Sequence, residues 1–238
     1  MTGNGLASTL LGAPDIGLLT MSEMIARGRA FSAAVNIPVI ADADTGYGNL
    51  NNVIRTVQEY EAAGVAAIHL EDQVTPKKCG AMSGLALISK EEHAEKIRAA
   101  VGARKNKDFL IIGRSDARIP LGFEEAISRG QAYAAAGADL VLLEMLQSEQ
   151  EMREAIRNID APLMFNAVDG KTPPLTAAQF EKIGFRLLSF PISSTLAYAR
   201  MMQDFARHIK THGTTVGAPS GAMSISEYEN ILDIRQYK

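Results

Sequence analysis

Cysteine is nearly absent from this chain: Cys79 is the only one in 238 residues. A single thiol excludes an intrachain disulfide and a cysteine-rich zinc cluster. No apolar run approaches membrane-spanning length. No basic stripe interleaved with aromatics appears, which argues against nucleic acid as a partner. The start, MTGNGLASTLLGAPD, lacks the basic residues of a secretion signal, and Pro14 and Asp15 break its apolar run. No linker-like stretch divides the chain. With 47% hydrophobic residues, 21% charged residues and a net charge of −3, the composition is that of an ordinary globular domain. The length allows one sizeable domain, and a cytoplasmic location is the simplest expectation from these absences.

What is present is a repeated pattern. Helical periodicity covers 52–63, 90–104, 123–136, 148–159, 176–183 and 195–212. Short apolar runs at 39–43, 66–70, 109–113, 140–143, 163–165 and 186–190 lie between or beside them. Such alternation predicts βα units and a parallel sheet. Two units nearly repeat: EAAGVAAIHLE and AAAGADLVLLE each leave a helix through glycine, Gly64 or Gly137, and close a strand on glutamate. Glycine suits the left-handed residue that ends a helix.

Each strand also ends on a polar residue. Asp44, Glu71, Arg114, Glu144, Asn166 and Ser193 follow successive apolar runs, about one βα unit apart except for one longer interval. Polar groups arriving in that phase converge on the C-terminal mouth of a (β/α)8 barrel. A doubly wound open sheet accommodates the same helix–strand order. Only six strands are evident where a closed barrel needs eight. Residues 1–8 read as the tail of a further strand and its loop.

The densest chemistry lies in IPVIADADTGYGN. Asp42 and Asp44 are two apart, so they share one face at the end of a strand. Paired carboxylate oxygens at the mouth of a sheet suit magnesium better than a soft metal; the same Asp-Thr-Gly also suits a simple turn. The long interval holds VTPKKCGAMSG, too glycine- and proline-rich for a continuous helix and of the length of a lid. Lys77 and Lys78 precede Cys79, and neighbouring ammonium groups favour a thiolate, predicting a lowered thiol pKa; a small buried hydrophobe is the plainer use of cysteine. Arg114, closing FLIIGR, is placed either to clamp a carboxylate or phosphate or to pair with Asp116. His69, one step deeper than Glu71 on the same face, reads as a core histidine.

These segments together resemble the isocitrate lyase and phosphoenolpyruvate mutase superfamily. The resemblance rests on TGNG at 2–5, ADADTGYGN at 41–49, HLEDQVTPKKCG at 69–80, GRSDAR at 113–118, LLEM at 142–145 and FNAVDGKTPPLT at 165–176. It implies a (β/α)8 barrel binding magnesium, with manganese as a substitute, and a 2-oxo or 2-hydroxy carboxylate. By motif, Asp42 would be the direct metal ligand, and Asp44, Glu71 and Asp15 would hold its water shell. Thr2, Gly3 and Arg114 would hold the substrate carboxylate, with Glu144 and Asn166 on the far side. Lys77, Lys78, Cys79 and Gly80 would form a moving lid, with Cys79 the proton donor.

The resemblance further implies carbon–carbon cleavage of the methylisocitrate lyase or 2-alkylmalate lyase type. A P–C bond enzyme of the phosphoenolpyruvate mutase type, an oxaloacetate decarboxylase, or an inactive barrel serving as an interaction partner are its alternatives. Superfamily lyases usually place histidine after Cys-Gly, whereas this chain has Ala81. The stretch ISSTLAYA lacks the arginine that would meet a third substrate carboxylate, which favours a malate-sized diacid. Members also carry a first strand, a first helix and most of a second strand ahead of TGNG, so the barrel is expected to lack its first strand and helix. A homo-oligomer, dimer or tetramer, is implied, with a C-terminal helix around 224–237 exchanged between subunits. The barrel units are expected within 1–214 and a linker with that helix in 215–238.

Overall fold

The computed structural model describes residues 1–219 and 223–237. Contacts divide the chain into two compact units, Met1–Ile192 and Ser193–Lys238.

The first unit is built on six parallel strands: β1 (Ile40–Asp42), β2 (Ala67–Glu71), β3 (Leu110–Ser115), β4 (Leu140–Leu143), β5 (Leu163–Asn166) and β6 (Leu187–Ser189). Their spatial order is their chain order, β1-β2-β3-β4-β5-β6. A doubly wound sheet reverses strand order at a switch point, and this sheet never does. The open-sheet alternative is therefore excluded in favour of part of a barrel. All six runs expected from sequence are strands.

Helices α3 (Leu50–Ala62), α4 (Lys90–Ala103), α5 (Phe123–Ala135), α6 (Glu149–Asn158) and α7 (Ala177–Ile183) connect them, preceded by α1 (Gly3–Leu6) and α2 (Met21–Ala34). Side-chain caps set several of their starts. Asn49 accepts from the amides of Asn51 and Asn52, Ser89 from Glu92, Ser148 from Glu151 and Thr176 from Gln179. Such caps are each worth about 1 kcal/mol. Gly64 and Gly137, just past α3 and α5, have φ of 83° and 97°, the left-handed conformation their repeated position predicts.

The structure departs from the sequence reading twice near the N-terminus. Residues 3–11 are not strand and loop but α1 followed by a π-turn at Ala7–Leu11. Only Met1 keeps the sheet's company: its ammonium donates to the Ile40 carbonyl (2.6 Å) and its carbonyl accepts from the Asp42 amide (3.1 Å). Helix α2 is a second omission. Its apolar face is weak, and only Met24, Ile25 and Gly28 are buried.

Register explains how a buried sheet delivers polar groups to one end. Ile112 pairs with Leu140, Arg114 with Leu142, Leu142 with Met164 and Met164 with Leu187. Paired residues share a face, so Ala67, Ile112, Leu142 and Met164 form a small apolar layer on the concave side. Two residues further along the same strands stand His69, Arg114, Glu144 and Asn166. The opposite face carries the larger core, including Ile68, Leu70, Ile111, Val141, Leu143 and Phe165 packed against Tyr60, Ile97, Tyr133 and Phe180 of the helices. That division gives the near-continuous apolar strands expected of a sheet covered on both sides.

Strand β6 ends at Ser189, before Pro191, which cannot continue a ladder. Ser193 is therefore not a strand-end group, contrary to expectation, but the first residue of α8 (Ser193–His212). The polar residue at the end of β6 is Ser189.

The second unit contains α8 and α9 (Ile225–Ile231), followed by a 3-10 turn at Ile234–Tyr237. The continuous helix expected over 224–237 is broken after Leu232 by Asp233, whose φ is 47°. Ser224 and Glu227 cap α9 reciprocally. Neither helix contains a buried residue. Part of the expected linker, 220–222, lies outside the described residues. No helix among the described residues is long and apolar enough to cross a membrane.

Candidate active site

The strand ends bring the acidic residues together around two cations, Lys77 and Arg114. Asp42, the last residue of β1, accepts from the Gly3 amide at Oδ2 (3.1 Å) and from the Asp44 amide at Oδ1 (3.0 Å). His69 Nδ1 lies 3.6 Å from the same Oδ1. A Cβ added to Gly3 would lie 2.9 Å from Asp42 Oδ2 and 3.3 Å from Lys77 Nζ, so only glycine leaves room for the acids here. The chain then turns through Asp44, whose φ of 46° is a left-handed conformation that aspartate tolerates better than most residues.

Lys77 reaches in from the long β2–α4 connection. Its buried ammonium lies 2.8 Å from Asp15 Oδ1 and 3.0 Å from Asp44 Oδ1. Lys78 does not join it. Its side chain is exposed and donates to the Gly84 carbonyl at 3.3 Å rather than to a carboxylate. Cys79, half-buried, anchors its own amide on the Asp15 carbonyl at 2.9 Å.

Arg114 stands opposite. Its Nε and Nη2 both donate to Asp116 Oδ1, at 3.1 and 2.8 Å, and its Nη1 lies 3.2 Å from Glu71 Oε2. The expected pairing with Asp116 is thus present. Further round, Asn166 donates to Glu144 Oε2 at 2.9 Å, and the Ser189 hydroxyl donates to Asn166 Oδ1 at 2.5 Å. Thr2 is the residue preceding α1 and makes no side-chain cap.

Burial and charge set the protonation states. Burial opposes ionising Asp42, yet His69, Lys77, Arg114 and the Asp44 amide hold its carboxyl well below the usual range. Asp44 goes the other way, raised to about 7 by burial and by the charge on Asp42. Glu71 and Glu144 are also raised, chiefly by burial. His69 is lowered to about 4, again by burial, and is neutral. Lys77 and Arg114 stay charged because the surrounding carboxylates outweigh the cost of burying them. Cys79 contradicts expectation: burial pushes its thiol up, and Asp15 and Glu144 add to the rise, against the pull of the Ala81 amide and Arg114. The adjacent lysines cannot lower it, since one ammonium is committed to Asp15 and Asp44 and the other points to Gly84.

The donor set fits a hard divalent cation. Asp44 Oδ1 and both carboxylate oxygens of Glu71 are buried; Asp44 Oδ1 and Glu71 Oε2 meet only the Lys77 and Arg114 cations and Glu71 Oε1 has no hydrogen-bond partner, and hard carboxylate oxygens of this kind are the ligands magnesium takes. Among the described residues no three His, Cys, Asp or Glu side chains already stand at the spacing of a complete metal centre; the Lys77 ammonium bridges Asp15 and Asp44 instead.

Two residues absent from the expected set hold it together. Asp72 is fully buried and accepts from Ser115, Arg129, Tyr133 and the Asp116 amide. Gln73 bonds to Asp116 and to the backbone of Lys78. Both lie in the EDQ stretch beside Glu71, and Asp116 follows Arg114 by two residues, just past the end of β3. Those positions were the available signal.

Residues 1–210 match the phosphoenolpyruvate phosphomutase family. A 2,3-dimethylmalate lyase of Eubacterium barkeri is 45% identical over 239 residues, spanning 100% of this chain and 83% of the relative. A 2-methylisocitrate lyase of Aeropyrum pernix is 43% identical, covering 96% of this chain and 74% of its own. The solved structure of oxaloacetate acetylhydrolase with 3,3-difluorooxalacetate superposes with a TM-score of 0.94 at 33% identity, covering 100% of this chain and 81% of that one. A phosphonopyruvate hydrolase complexed with oxalate and magnesium superposes at 0.86 with 32% identity, covering 99% and 83%.

Proposed function

The chain belongs to the phosphoenolpyruvate phosphomutase family of the isocitrate lyase superfamily, and from that premise we propose that it is a magnesium-dependent lyase cleaving the C2–C3 bond of a malate-sized 2-hydroxy diacid. The carrying observation is the buried carboxylates of Asp44 and Glu71, met only by the Lys77 and Arg114 cations, together with Cys79, whose amide is anchored on the Asp15 carbonyl and whose thiol pKa is raised by burial. Similarity to the dimethylmalate and methylisocitrate lyases supports the reaction class, and the magnesium-bound hydrolase supports the metal.

In this reading Asp42, Asp44, Glu71 and Asp15 hold the cation. When bound, magnesium stabilises negative charge developing on substrate oxygen. Arg114, fixed at the end of β3 by Asp116 and Glu71, faces the substrate carboxylate, with Gly3, Glu144 and Asn166 lining the remainder. Transfer of the 2-hydroxyl proton to a carboxylate of the acidic rim lets the C2–C3 pair move to the departing fragment, leaving a 2-oxo acid and a carbanion. A thiol with a raised pKa carries its proton at neutral pH, so Cys79 is an acid rather than a thiolate and protonates that carbanion. The lid over this step is the 77–80 segment. Exposed Leu196, Tyr198, Met201 and Met202 on α8 support a homo-oligomer in which the C-terminal helices are exchanged between subunits.

Release of 2-oxo acid from 2-alkylmalates and methylisocitrate, and of pyruvate or of oxalate and acetate from oxaloacetate, tests the reading. Chelator-sensitive release from an alkylmalate is expected. Cleavage of oxaloacetate alone would move the assignment to that smaller substrate, and no release from any of the three would overturn lyase activity.

A further inference from the structure

Gln73 lies immediately beyond the end of β2, two residues after Glu71, and is buried. Its amide is fully committed. Nε2 donates to the Lys78 carbonyl (2.8 Å) and to Asp116 Oδ2 (2.7 Å), while Oε1 accepts from the Lys78 amide (2.9 Å). Both backbone groups of one lid residue are therefore held by a single side chain rooted in the sheet. The same side chain grips the carboxylate whose other oxygen, Asp116 Oδ1, takes both bonds from Arg114.

A second contact runs in parallel. A Cβ built on Gly80 would lie 2.7 Å from Asp116 Oδ1 and 2.9 Å from Glu144 Cγ, and closer still to Arg114 Nη2. The lid backbone thus rests directly on the Arg114–Asp116 pair. Asp116 is held from behind by Asp72, which accepts from its amide at 2.8 Å. With Asp116 fixed on that side, Gln73 and Gly80 are the points at which lid and guanidinium meet.

We propose that Gln73 is a positioning residue that fastens the 77–80 lid to Asp116, so that the seating of Cys79 and the aim of Arg114 are set together. This deepens the lyase reading and rests on it for the roles of Cys79 and Arg114. Amide geometry explains the residue type. Donating twice and accepting once requires an uncharged amide of glutamine length; glutamate lacks the donors and would set a second carboxylate against Asp116.

The sole thiol in the chain supplies a readout independent of turnover, because alkylation by iodoacetamide reports on Cys79 alone. Each ordinary hydrogen bond shifts an opening equilibrium by about threefold to tenfold. Gln73→Met is expected to accelerate Cys79 alkylation about tenfold or more and to lower kcat more than it raises KM, with the thermal melt little changed. Gln73→Glu retains an acceptor for the Lys78 amide and serves as the second variant should the methionine fail to fold; it too should alkylate faster. Alkylation within about twofold of the parent protein in every folded variant, a change smaller than one lost bond, would overturn the latch. That result beside normal turnover of the parent leaves the lyase reading standing. Faster alkylation in variants of a parent that releases no oxo acid overturns the lyase reading and keeps the latch.

Discussion

Lys77 Nζ lies 3.0 Å from Asp44 Oδ1, which seats an ammonium ion inside the carboxylate set that would hold a metal. The pair is buried and flanked by Asp15 and Asp42, so removing the ammonium leaves neighbouring acids to repel one another. Lys77→Met should therefore lose about 3–5 kcal/mol of stability in chelator, the usual cost of breaking a buried ion pair from one side. Added magnesium should restore more of that loss than it adds to the parent protein. Thermal melts with and without magnesium measure both effects, and an unchanged melt in chelator would show that the lysine does not neutralise the acids.

Asp44 makes the metal-free protein sensitive to pH. Its pKa rises from 3.8 to about 7 on folding. Between those values the folded chain binds more protons than the unfolded chain, so stability falls as pH rises through that window. A cation must displace the same proton, so magnesium affinity should climb with pH and level off above about 7. Chelator-competition titrations from about pH 5 to about pH 8 test this; a flat affinity would remove Asp44 from the metal site.

Cys79 is predicted to behave as a thiol and not as a thiolate. Its alkylation rate should keep rising beyond pH 9, the ordinary value above which burial pushes it. Cys79→Ser should bind magnesium as the parent does while losing about a hundredfold or more in kcat, the scale of a general acid removed. Full retained turnover would take the cysteine out of the reaction.

Much of this site was legible because strands advertise it. Alternation places Asp42, Glu71, Arg114, Glu144 and Asn166 at the ends of apolar runs, and the structure puts all five on that rim. Spatial order of the strands is not legible in the same way, since the helix–strand alternation fits open and closed sheets alike; only the observed order β1-β2-β3-β4-β5-β6 decides between them. The raised pKa of Cys79 is not legible in sequence, because proximity to two lysines says nothing of where their ammonium groups go, and Lys77 turns to Asp15 across a long chain separation. Gln73 and Asp72 escaped notice for a related reason. A polar residue beside a catalytic glutamate looks solvated until burial is known, and here both are fully hydrogen-bonded inside the protein. Helix α2 was missed because few of its positions are buried, leaving little periodicity to find.

In the proposed reaction the acidic rim of the sheet binds one divalent cation through Asp42. Titration calorimetry of magnesium into the parent protein and into Asp42→Asn tests it most directly. One magnesium per chain is predicted for the parent, with affinity lowered about a hundredfold, at the upper end of the loss typical for disturbed metal sites, in the variant. Equal magnesium affinity in the two proteins would contradict the account.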